Sequence, residues 1–165
     1  MQNKLLTILT LITFFASCTP TNNINTVEFQ NIEYQVVAKG NDSGIKNKLL
    51  IVAYNKYFNE SQFDSDFISS HNLNTVDFRE NMLVEIFLGT DAATKGKITL
   101  TKIEENKDLI KVHYETKEGD EPSATAEEEI TPFLIVSVPK SRKTTKFFEN
   151  GEEVKIAGGN LYIKN

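Results

Sequence analysis

From Val27 to Ile163 the chain is a succession of strand-length apolar runs, each closed by turn-forming residues. Runs of four to eight residues bounded by Gly, Asn, Asp or Pro are too short for core helices and fit strands. Val27–Ala38 alternates at Val27 and Phe29 and again at Ile32, Tyr34 and Val36. The slip between the two sets predicts a strand with a bulge or a short break. Dense turn chemistry follows at Gly40-Asn41-Asp42-Ser43-Gly44. Leu49–Tyr54 reads as a buried strand or the start of a helix, and Met82–Leu88, stopped by Gly89, as a central strand. Lys97–Glu105 and Leu109–Glu115, joined at Asn106-Lys107-Asp108, predict a hairpin. Ile130–Val138 is a further strand, whose Pro132 argues that its first part lies at an edge. Lys146–Glu149 leads into a turn at Asn150-Gly151, and Val154–Ala157 with Leu161–Ile163 predicts a terminal hairpin.

Asn59–Ser70 breaks this rhythm and predicts a helix. Asn59 is placed to cap it, Phe63 and Phe67 stand four residues apart, and Glu60, Asp64 and Asp66 suit its N-terminal half. Asn72 and Asn74 mark its end. The expected fold is therefore α+β: a predominantly antiparallel β-sheet, arranged as a small sandwich or barrel, with one main helix. Hydrophobic residues at 39% and charged residues at 25% exclude a disordered tail. A net charge of −5 argues against general affinity for nucleic acid, which rewards clustered Lys and Arg.

The N-terminus predicts a location. Residues 1–17 have a lysine near the start, an apolar run from Leu5 to Ala16 and then small residues, as a secretory signal does. The run is too short for a membrane span. Cys18 is the only cysteine, so no internal disulfide is available. Phe15-Ala16-Ser17-Cys18 resembles a bacterial lipobox, with Phe15 where Leu is common. The resemblance implies lipidation of Cys18, palmitate among the acyl chains, and several such chains hold a protein durably on a membrane. Thr19 in place of Asp favours the outer membrane by the sorting rules of Gram-negative bacteria. Residues 18–26 read as a polar tether and 27–165 as one domain.

Catalytic signals are sparse. His71 and His113 stand far apart and in no metal-binding spacing, and both read as structural residues. No serine lies in a nucleophile-elbow or S-x-x-K arrangement. The carboxylate groups at Asp64/Asp66, Glu104/Glu105 and Glu127-Glu128-Glu129 read as solvated surface rather than an acid/base pair. Lys140-Ser141-Arg142-Lys143 reads as a solvated turn. The expectation is a non-enzyme with no cofactor and no metal.

From Val76 onward the order of motifs is informative. Val76-Asp77-Phe78 is followed by Leu83-Val84-Glu85-Ile86-Phe87-Leu88-Gly89-Thr90, then Ile98, Ile103, Val112 and Tyr114. Thr131-Pro132-Phe133-Leu134-Ile135-Val136-Ser137-Val138-Pro139-Lys140-Ser141 comes next, and Thr145–Phe148 supplies a further short strand. This order resembles the C-terminal domain of PrcB, a lipoprotein subunit of a bacterial surface protease complex, best over Val76–Phe148. The family's T-G-G-Y stretch is replaced here by Asp91-Ala92-Ala93-Thr94-Lys95-Gly96-Lys97. What the resemblance implies is a lipid-anchored, non-catalytic envelope protein that binds or stabilises an exported partner, such as a protease. The loop at Thr90, Asp91, Thr94, Lys95, Gly96 and Lys97 is its expected contact. The alternative is an inhibitor that inserts the same loop into a protease cleft.

Overall fold

Two burial patterns fix the architecture. We describe residues 28–90, 97–117 and 130–154 from a computed structural model of the chain. In β4 (Asn81–Phe87) every residue from Met82 to Phe87 is buried, so both faces of the strand are covered. The same holds from Leu50 to Ala53 in β3 (Leu49–Ala53) and from Phe133 to Val136 in β7 (Phe133–Pro139). In β6 (Leu109–Lys117) only alternate residues, Ile110, Val112 and Tyr114, are buried, so one face meets water.

The covered strands, with β2 (Gln35–Gly40), form an antiparallel sheet in the order β2-β7-β4-β3. The second sheet joins β1 (Gln30–Asn31), β5 (Lys97–Glu105), β6, β8 (Thr144–Glu149) and β9 (Glu152–Glu153) in the order β1-β5-β6-β8-β9. Its pairs are antiparallel except β6 with β8, which run parallel because the chain visits β7 in the other sheet between them. Val52, Val84, Ile86, Leu134 and Val136 of the first sheet pack on Ile103, Ile110, Val112, Tyr114 and Phe147 of the second. Fully burying each such side chain contributes about 1.5–3 kcal/mol.

The other face of the four-stranded sheet is covered by α1 (Lys56–Gln62), α2 (Ser65–Ser70) and a 3₁₀ turn at Leu73–Thr75. Phe58, Ile68 and Leu73 pack there on Ile51, Leu83, Phe87, Phe133 and Ile135. The result is an α+β fold, a largely antiparallel sandwich with a helical layer on one side.

Local details depart from the expectations above in instructive ways. The slip in the first strand is a break: β1 pairs with β5 in one sheet, the chain crosses over, and β2 pairs with β7 in the other, with a separate bulge at Val37. The single helix from Asn59 is two, and Asn59 is not its cap. Asn55 caps α1 through its side chain, which accepts from the Phe58 N–H at 2.8 Å. Phe63 is extended, and Asp64 starts α2 by accepting from the Phe67 N–H at 2.7 Å. Asn59 is instead buried in mid-helix. Pro132 does not mark an edge, since β7 lies between β2 and β4. It sits one residue before the strand, where its missing N–H costs no ladder bond, and its carbonyl accepts from Leu88 N–H at 3.0 Å. Asn150 and Gly151 both have positive φ, 51° and 88°, in the tight turn from β8 to β9. Beyond Val154 the expected terminal hairpin lies outside the described residues.

Candidate functional site

The loop expected to meet a partner leaves from one end of the sandwich. Its base is rigidly fastened: Thr90 N–H and Oγ1 donate to the Lys46 carbonyl at 2.9 and 3.2 Å. Just before it, Gly89 has φ 74° and lies so close to residues 46–48 that an added Cβ would sit 2.5 Å from the Lys46 carbonyl oxygen. Lys97 opens β5 opposite Lys117. Asp91, Thr94, Lys95 and Gly96 lie outside the described residues, as does Cys18.

The same end gathers the turn after β2. Gly40 faces Phe133, and Ser43 Oγ and Gly44 N–H donate to the Thr131 carbonyl and hydroxyl, each at 2.9 Å. This fixes the turn beside α1 and α2 and leaves an open groove of about 550 Å³ between them. Phe63 and Phe67, with ring centroids 4.9 Å apart, line it together with Gln62 and His71, and Asp42, Asp64 and Asp66 border it. Aromatic faces beside carboxylates favour a cationic group over an anionic one. The His71 ring packs 4.4 Å from Phe67 and 4.9 Å from Phe133.

His113 lies on the water-facing side of the five-stranded sheet. Its ring stacks on Phe148 at 4.8 Å, and Nε2 is 3.1 Å from Glu104 Oε1. Lys102 donates to the same carboxylate at 2.6 Å. These contacts, the Lys102 bond first, hold Glu104 below the usual carboxylate range. Lys111 Nζ sits 3.7 Å above the Phe29 ring. The arrangement is a surface ladder of paired charges. Among the described residues no group of His, Cys, Asp or Glu is placed to hold a metal ion.

The two edges of the four-stranded sheet differ. At β3, Leu50, Ile51, Val52 and Ala53 are all buried. At β2, Val36 is 45% exposed and the preceding Tyr34 38%. β2 is an outer strand of its sheet, and no described strand pairs with its outer edge. The bulge at Val37 twists the far half of that edge, leaving Gln35–Val36 as the regular part, with Tyr34 just before the strand and its hydroxyl donating to the Leu100 carbonyl of β5 at 3.5 Å.

One buried group was not singled out by sequence reasoning. Glu85, in the middle of β4, is fully buried on the helix side, between Ile51 of β3 and Ile135 of β7 in register. Asn59 Nδ2 of α1 donates to its Oε1 at 2.7 Å, and its Oε2 has no hydrogen-bond partner among the described residues. Burial pushes this carboxyl from its ordinary 4.5 up to about 8, against the opposing pull of the Asn59 bond. The available signal was a lone Glu inside an apolar run that only a doubly covered strand would bury.

No family model, no curated protein and no solved structure matches the chain.

Proposed function

We propose that this protein is a lipid-anchored, non-catalytic component of the bacterial cell envelope that binds or stabilises an exported partner, such as a protease. The observation that carries the reading is the outer edge of β2, which no described strand covers and at whose start Tyr34 and Val36 stand exposed. An extended partner segment can add to such an edge through main-chain hydrogen bonds, with side-chain contacts giving selectivity. The leader and Cys18 support attachment to a membrane, with the outer membrane favoured by Thr19. The motif order from Val76 to Phe148 supports a PrcB-like role. The tight fastening of Thr90 also favours the second reading, a protease inhibitor acting through residues 90–97, because a pre-ordered loop base reduces the entropy lost on binding.

The experiment is a pull-down from envelope membranes with the lipidated, tagged protein, beside a Cys18→Ala control. The expected result is enrichment of one exported protein by the wild type and release of the variant from the membrane fraction. Wild type that enriches nothing, or a Cys18→Ala protein that stays on the membrane, contradicts the corresponding half of the proposal. Inhibition of the enriched protein by the purified chain, lost when residues 91–96 are replaced by glycines, would select the inhibitor reading.

A further inference from the structure

The helical layer is fastened to the sheet by apolar packing and by a buried polar contact that contains a titratable group. Glu85 projects from the central strand to meet Asn59 of α1 at 2.7 Å, with both residues buried. Among the described residues no charged side chain compensates it. β3 presents Ile51 and Ala53, β7 presents Ile135, α2 presents Ile68, and the 3₁₀ turn presents Leu73. The ionisable residues nearest in α1, Lys56 and Glu60, pair with each other at 3.5 Å on its exposed side. A neutral carboxyl can sit in this site, accepting one hydrogen bond. An ionised one would be a buried charge whose one polar partner is an amide, a state that folded proteins avoid by moving apart or admitting water.

We infer that the Glu85–Asn59 contact is a proton-controlled latch: while the carboxyl is neutral it holds α1 on the sheet, and its ionisation releases α1. The consequence reaches the surface. Gln62 ends α1 and Phe63 follows it directly, and both line the groove beside the turn at Asp42–Ile45. Release of α1 therefore removes one wall of that groove. The raised position of the Glu85 carboxyl, about 8, places the transition in mildly alkaline medium.

The test is hydrogen exchange of the full chain in detergent at pH 6 and pH 9, each corrected for the intrinsic exchange rate. Wild type is expected to lose protection in peptides covering α1 by ten-fold or more at pH 9, while peptides covering Ile110–Tyr114 in β6 stay protected. Glu85→Gln keeps the shape and the hydrogen bond without the titration, so its α1 should be equally protected at both pH values. Glu85→Leu, which cannot ionise either, serves if the glutamine variant does not fold. An unchanged wild-type α1, the same loss in wild type and variant, or uniform loss of protection across both sheets would each overturn the latch.

Discussion

Gly89→Ala is expected to destabilise the domain by roughly 2–5 kcal/mol, the sum of left-handed strain and overpacking. Three described glycines, Gly44, Gly89 and Gly151, have positive φ, and any side chain pays a conformational penalty there. They differ in what surrounds them. A Cβ at Gly44 or Gly151 meets nothing within 4 Å, whereas at Gly89 it would meet backbone at 2.5, 2.7 and 2.9 Å. Backbone cannot rotate away as a side-chain tip can. Relief would pull residues 46–48 from the end of β4, breaking the Thr90 bonds to Lys46 and loosening the neighbouring start of β3. Gly151→Ala provides the internal control, with a loss of about 1 kcal/mol from strain alone. Urea unfolding of both variants checks this, and equal losses would show that the close approach at Gly89 does not constrain the fold.

The second large effect is on the pH dependence of stability. In the unfolded chain Glu85 ionises near its ordinary 4.5, and in the folded chain near 8. Between those values the folded state binds the extra proton, so the contribution of this group to stability is greatest below about pH 4.5. It falls as pH rises through the window and levels off above about 8. At about 1.4 kcal/mol per unit of pKa, this group removes up to about 4 kcal/mol between pH 5 and pH 8. Glu85→Gln lacks the term, so it should lose less stability over that range and be the more stable protein at pH 8. Urea midpoints at pH 5, 6, 7 and 8 give the comparison. Parallel profiles for the two proteins would mean that the carboxyl does not sit neutral in the fold.

Burial on one face or two was written in the runs themselves. Phe133–Val136 is apolar throughout, and Met82–Leu88 apolar except for Glu85, because helices cover one face of their sheet and a second sheet covers the other. Leu109–Glu115 alternates because its outer face is wet. The slip near Asn31 was equally readable, although a one-dimensional pattern cannot say that its two halves belong to different sheets. The break in the helix was misread because Asn59 and Asp64 are both good caps by type. Tertiary packing decided between them, drawing Asn59 inward to Glu85 and leaving Asp64 to start α2. Pro132 misled for a similar reason: an edge and the position just before a central strand both lack a ladder N–H requirement. The groove was not legible at all, since its walls come from residues 42–45 and 62–71, apposed through Thr131, some 90 residues away in the chain. The exposed β2 edge was half legible, as an alternating strand whose outer partner no local pattern specifies.

The outer edge of β2 is the proposed docking place of the partner. Tyr34→Lys with Val36→Lys puts two charges at the start of β2, one in the strand and one just before it, where both side chains are partly exposed and natural edges use lysine to block strand addition. The measurement is the amount of exported partner retained by this double variant in the envelope pull-down, alongside its urea midpoint. A loss of ten-fold or more in retained partner with an unchanged midpoint is the predicted result; full retention by a folded double variant would contradict it.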